Sequence, residues 1–255
     1  MNGYKESFQP EAELKADEST TLLYDSQHVE GKLVIDLSSH GHDGRWEDLR
    51  PGDVFPKADK HVLIFGGDKI IETPLERFAP VTLEAWILPL QQPDRCGFII
   101  GSDVPTKFGI GMALCKSNFT AEYVAGLHVS EAVVPLRVWG HLSVVFGEQD
   151  TRLYHNGKHV STGPATKITG GTQFVIGNLG RHNPIDPFVG QIRCLRISQG
   201  ERYSDDFQPE VSFKPDAADD PHRAVLIYDG SKVERDRVLD VSGNGDDGRW
   251  LRGGD

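Results

Sequence analysis

The chain has 255 residues, enough for one large β-sandwich or for two small domains. Its 38 acidic against 27 basic residues give a formal net charge of -11, which repels phosphate backbones and anionic lipid headgroups and argues against nucleic acid or a membrane surface as partner. Glycine (28) and proline (15) are frequent and long amphipathic helical patterns are missing, so many short strands joined by tight turns are expected. No apolar run is long enough to cross a bilayer, and residues 1–20 carry no apolar h-region, so no signal peptide is read in this chain.

The chain opens and closes on related text. YKESFQPE at 4–11 returns as YSDDFQPE at 203–210, LLYD at 22–25 as LIYD at 226–229, and DLSSHGHDGRW at 36–46 as DVSGNGDDGRW at 240–250. The first block recurs at an offset of 199 residues and the other two at 204, the difference falling in a longer acidic linker in the second copy. Blocks kept in order around a unique centre indicate repetition. The organisation expected is the tail of a preceding repeat at 1–19, one complete domain at 20–210, an acidic linker at 211–223, and at 224–255 either the start of a following repeat or strands packing on this same domain.

Within the centre, VTLEAWIL at 81–88 alternates and then turns fully apolar, as a strand entering a core does. Residues 98–101 and 108–112 pair as a hairpin around 104–106. That places Cys96 nearly opposite Cys115, where a cross-strand disulfide and two buried thiols both fit, with Cys194 unpaired. HLSVVF at 141–146 is strongly β-prone. Residues 151–155 and 158–162 flank Asn156-Gly157, the strongest local signal, because a type I′ turn needs positive φ at both central positions. Residues 173–177 and 188–198 complete the late strands. The pattern fits an all-β, two-sheet antiparallel sandwich. Trp86 and Trp139 are expected as core anchors, Trp46 and Trp250 as packing residues, and His141 and His155 as hydrogen-bonded structural histidines.

TLEAWI (82–87), WGHLSVVF (139–146), LYHNGK (153–158), FVIGN (174–178), PFVGQIRCLRIS (187–198) and RYSDDF (202–207), in that order, resemble the laminin-G-like, concanavalin A-like jelly-roll superfamily, above all its bacterial branch. The resemblance covers about 20–210 and implies a jelly-roll sandwich. It implies little about function, since the scaffold hosts lectins, adhesion modules, enzymes and spacers.

Laminarinase-type glycosidases of this fold use E-x-D-x-x-E, two carboxylates flanking the scissile bond. Here Glu148-Gln149-Asp150-Thr151-Arg152-Leu153 has leucine in place of the second glutamate, so no catalytic residue is assigned. H-E-x-x-H, G-x-S-x-G and a phosphate-cradling glycine loop are also missing. No cofactor is required. Calcium is the one metal with a candidate site, at Asp36, Ser38 and Asp43 in a glycine-bent loop. The alternative for that loop is an Asx/Ser turn in which Asp36 and Ser38 cap backbone amides. Relatives often carry an acid directly after the isoleucine of G-x-I, where this chain has Arg193.

Loops at residues 101–107, 116–117 and 178–187 are the candidate ligand surface, with Arg181, His182, Asn183 and Asp186 as candidate binding residues. The reading is a non-catalytic binding module of a larger extracellular, periplasmic or surface protein. Its expected partners are a glycan or a cell-surface protein, together with neighbouring repeats of its own kind. The alternatives are a spacer or protein-interaction module and, disfavoured, a glycoside hydrolase.

Overall fold

The computed structural model describes residues 24–30, 33–36, 44–45, 61–104, 107–123, 126–165, 172–180 and 186–252. Two compact units, Met1–Pro56 and Lys57–Asp255, make up the chain. In the first, β1 (Tyr24–Glu30), β2 (Leu33–Asp36) and β3 (Gly44–Arg45) form an antiparallel meander.

The second unit is all β, and among the described residues no helix occurs. Its strands in chain order are β4 (Leu63–Gly66), β5 (Lys69–Glu76), β6 (Val81–Pro89), β7 (Cys96–Val104), β8 (Lys107–Cys115), β9 (Asn118–Tyr123), β10 (Gly126–Val133), β11 (Gly140–Phe146), β12 (Asp150–His155), β13 (Lys158–Pro164), β14 (Gln173–Ile176), β15 (Val189–Gln199), β16 (Ala224–Glu234), β17 (Arg237–Asp240) and β18 (Gly248–Arg252). They pair antiparallel in the order β10-β9-β8-β7-β14-β5-β18-β17-β16-β15-β6-β11-β12-β13, with β4 also on β15.

This ladder folds over on itself. Leu83, Ala85 and Ile87 of β6, Leu142 and Val144 of β11, and Leu195 and Ile197 of β15 share one buried cluster with Ile100 of β7, Met112 of β8, Phe119 of β9 and Ile176 of β14. The two halves are the layers of a β-sandwich jelly roll. Its outermost strands, β10 and β13, also meet: His128 Nε2 lies 2.8 Å from Ser161 Oγ, and a Cβ on Gly163 would come within 2.7 Å of the His128 ring.

The Asn156-Gly157 turn has φ of 51° and 74°, the primed geometry expected of this dipeptide. Cys96 and Cys115 face each other in register and are joined by a disulfide, while Cys194 is free and buried, its thiol pushed up to about 12 by burial. The strand β6 is buried on both faces, and Trp86 packs against a second, smaller hydrophobic cluster rather than the main one. It lies on the face opposite the main core, packs with Cys194, Phe213 and Ile227, and donates its indole N–H to the Glu210 carbonyl at 2.7 Å. Trp139 is half-buried and outside the core cluster. Trp250 packs against the core with its ring 5.0 Å from that of Phe65.

Candidate functional site

The first polar constellation is the closed face of the sandwich. On β6, β11 and β15, side chains that alternate out of the main core bring together Glu84, His141 and Arg196, all without solvent exposure. Arg196 Nε donates to Glu84 Oε1 at 2.7 Å, His141 Nε2 lies 3.1 Å from Glu84 Oε2, and the Tyr203 hydroxyl donates to the same oxygen at 3.0 Å. Burial alone would raise the Glu84 carboxyl. The His141 hydrogen bond and the Arg196 charge outweigh it and hold the group at about 2. Residues 201–213 cover this face: Arg196 lies 4.4 Å from the ring centroid of Phe213, and the Phe207 amide donates to the Gly157 carbonyl. A network so enclosed gives a ligand no access, and its role is to hold three strands and their cover together.

The second constellation is the glycine-bent loop of the C-terminal repeat. Asp240 accepts N–H donors from Ile227, Ser242, Gly245 and Asp246 and the Ser242 hydroxyl, at 2.8–3.1 Å. Asp247 accepts the Asp240 amide at 2.8 Å and pairs with Arg237. The loop is built as an Asx turn, with hydrogen donors filling the carboxylate of Asp240. Among the described residues no group of three or more acidic, histidine or cysteine side chains is arranged to hold a metal. The expected calcium ligands are in the N-terminal copy. Asp36 is described as backbone only, and Ser38 and Asp43 lie outside the described residues.

The third constellation is an open cavity of about 400 Å³, a size that accommodates a small ligand. Its walls come from the connection after β6 (Gln91, Asp94, Arg95), the start of β7 with the disulfide (Cys96, Gly97) and the run Asp186–Val189. Backbone bonds lock these walls. The Phe98 amide donates to the Asp186 carbonyl at 3.0 Å, that of Lys116 to Arg95 at 2.8 Å, and that of Leu90 to Val189 at 3.0 Å. The walls approach closely at Gly97, where a Cβ would sit 3.1 Å from the Pro187 carbonyl oxygen.

Asp186 is 8% exposed, and its Oδ1 has no hydrogen-bond partner among the described residues. Burial raises its carboxyl, while Arg95 and the Cys96 amide pull it the other way. A buried carboxylate oxygen without a partner among the described residues is an unused acceptor in the wall of this cavity.

Of the four expected ligand residues, Asp186 is in this cavity, while Arg181, His182 and Asn183 lie outside the described residues. The expected loop at 101–107 is in its described part strand, since 101–104 end β7 and Lys107 starts β8. Residues 116–117 form the β8–β9 turn. Sequence reasoning missed Gln91, Asp94 and Arg95. Their only signal is a polar run between two apolar strands. The Glu148–Leu153 segment holds no carboxylate pair: Leu153 is in the core and Asp150 pairs with Arg152 at 2.8 Å.

A laminin G-type family profile, described as the concanavalin A-like lectin/glucanases superfamily, matches residues 65–206, more than half of the chain. The chain belongs to the concanavalin A-like lectin/glucanase superfamily. Among solved structures, this superfamily member is similar to a candidate carbohydrate-binding protein from Bacteroides ovatus, at 17% identity and a TM-score of 0.55, over 74% of this chain and 58% of that one. It therefore spans little more than half the length of that protein. A SAP-like pentraxin from Limulus polyphemus matches at 16% identity and a TM-score of 0.44, over 56% of this chain and 77% of that one. Domain 4 of an extracellular GH43 arabinanase from Geobacillus stearothermophilus, in complex with arabinotriose, matches at 19% and 0.46, over 55% and 71%. At such identities the likeness is one of fold. None of the curated proteins compared matches the sequence significantly. Among the described residues, no helix is long and apolar enough to cross a membrane.

Proposed function

We propose that this chain is a non-catalytic carbohydrate-binding module, and that the cavity around Asp186 is where a sugar docks. The observation that carries the reading is the buried carboxylate, with an oxygen that has no partner among the described residues, on a wall pinned by a disulfide and three backbone hydrogen bonds. Sugar hydroxyls are donors suited to it, and Gln91, Asp94 and Arg95 add an amide, an acceptor and a cation at the rim. The carbohydrate-binding description attached to the Bacteroides ovatus protein is in keeping with this. Leu153 in place of a catalytic glutamate supports a role without turnover. No cofactor is needed, so binding should be equal in calcium and in EDTA. The disulfide supports an oxidising, extracellular or surface location.

The test is a glycan array followed by calorimetry on the best hit. Asp186→Asn should weaken binding by about tenfold, the worth of one charged hydrogen bond. An array blank with and without calcium would instead favour the spacer reading. Release of free sugar from any hit would refute the absence of catalysis.

A further inference from the structure

The repetition between the two ends extends to strand register. In the N-terminal meander Tyr24 pairs with Asp36, Val29 with Val34, Glu30 with Leu33, Leu33 with Arg45 and Val34 with Gly44. In β16–β18, Tyr228 pairs with Asp240, Val233 with Val238, Glu234 with Arg237, Arg237 with Arg249 and Val238 with Gly248. Every one of these pairs is its counterpart moved by 204 residues. Both segments thus fold as the same meander, and the second fills a socket: its three strands sit between β15 and β5 and complete the sheet.

We propose that this socket accepts either copy, and that the Tyr24–Arg45 meander, from the same chain or from a second copy of it, can replace Tyr228–Arg249 there. The positions the socket constrains most are kept. Tyr228 and Val238 are fully buried and recur as Tyr24 and Val34. A Cβ on Gly248 would meet Ile71 Cγ2 at 2.5 Å and the Tyr228 hydroxyl at 2.6 Å, and the N-terminal copy also has glycine, Gly44. One position differs in a way the socket would feel. Gly230 lies against the chain, where a Cβ would be 2.5 Å from both the His61 carbonyl oxygen and the Val62 Cα, and its counterpart is Ser26. Backbone cannot yield there as a flexible side chain would. This contact favours the C-terminal copy and makes the N-terminal copy the weaker competitor. Strand exchange of this kind is how identical elements link successive copies of a fold.

The test uses the full chain with paired cysteines. Arg249 is the register partner of Glu72, so Glu72→Cys with Arg249→Cys reports the C-terminal copy in the socket. Glu72→Cys with Arg45→Cys reports the N-terminal copy. Each pair is placed in the parent and in Ser26→Gly/Gly230→Ser, and cross-links are mapped by mass spectrometry after non-reducing electrophoresis. The expected result is a shift of about tenfold or more in the ratio of cross-links toward position 45 in the exchanged background, from relief of one overpacked contact and creation of the other. A position 45 link within one chain or in a covalent dimer supports the proposal equally. A position 249 link that stays dominant, or an exchanged variant that unfolds and forms neither link, overturns it.

Discussion

Replacing Arg196 by methionine, which keeps the stem and removes the charge, tests the enclosed network most directly. Glu84 would then be left ionised in a site without solvent exposure, facing only the His141 ring and the Tyr203 hydroxyl. Removing one partner of such a pair typically costs about 3–5 kcal/mol. The contact over the Phe213 ring and the Arg196 bond to Tyr203 are lost as well, which places the expectation at the upper end. The pH dependence carries the mechanism.

In the parent, Glu84 is held down from 4.5 to about 2, so its contribution of roughly 3 kcal/mol is present above pH 4.5 and is lost as the pH falls toward 2. In the variant the His141 hydrogen bond still opposes burial but the Arg196 charge no longer does, so the carboxyl is held down less than in the parent. The deficit between parent and variant should therefore be greatest at neutral pH and shrink steadily through acid. Urea unfolding followed by tryptophan fluorescence at several pH values measures it. A further Glu84→Leu change should restore part of the stability, because it removes the stranded charge. A deficit under about 1 kcal/mol, or one that does not change with pH, would refute the assignment of Glu84 as a buried anion held by Arg196.

Three further outcomes are expected. Cys96→Ser/Cys115→Ser opens a cross-link spanning 19 residues and should lower stability by about 3 kcal/mol, visible as a fall in Tm that reducing agent reproduces in the parent. Gly157→Ala puts a Cβ 1.9 Å from the Phe207 carbonyl at a φ of 74°, and should cost about 2–3 kcal/mol in chemical denaturation by lifting the 201–213 cover off its turn. Asp186→Asn should leave the protein as stable as the parent or more so at neutral pH. The raised carboxyl penalises folding above its folded value and ceases to do so below its unfolded value of 3.8, so the gain should vanish near about pH 3 in matched thermal melts.

The parts of the fold legible from sequence were those in which the local pattern is sufficient. The Asn156-Gly157 turn and the strands on either side follow from the φ requirement alone, and residues 81–88 announce a strand by composition. β5 is hard to read because Pro74 interrupts its pattern; the proline falls where the register with β14 shifts and beyond the residues paired with β18. The face that Trp86 takes is not legible, because a strand buried on both sides has no polar face to mark its direction. The partner of the C-terminal repeat could not be read, since the same words occur twice and the close approach of Gly230 to His61 and Val62 arises only in the folded chain. Within the cavity, Asp186 stood out as a charge among glycine and prolines. Arg95 and Gln91 became neighbours of Asp186 only when the Phe98–Asp186 backbone bond closed the gap between distant segments.

The meeting of β10 with β13 has a consequence for crowding. A ladder of this length would ordinarily end in two bare rows of amides and carbonyls, each an invitation to zipper onto a neighbour. With the terminal strands held together through His128 and Ser161, an incoming strand must first part this contact to reach either row there. A polypeptide that strings such units closely, at high local concentration, gains a defence against fibril-like association that does not depend on charge.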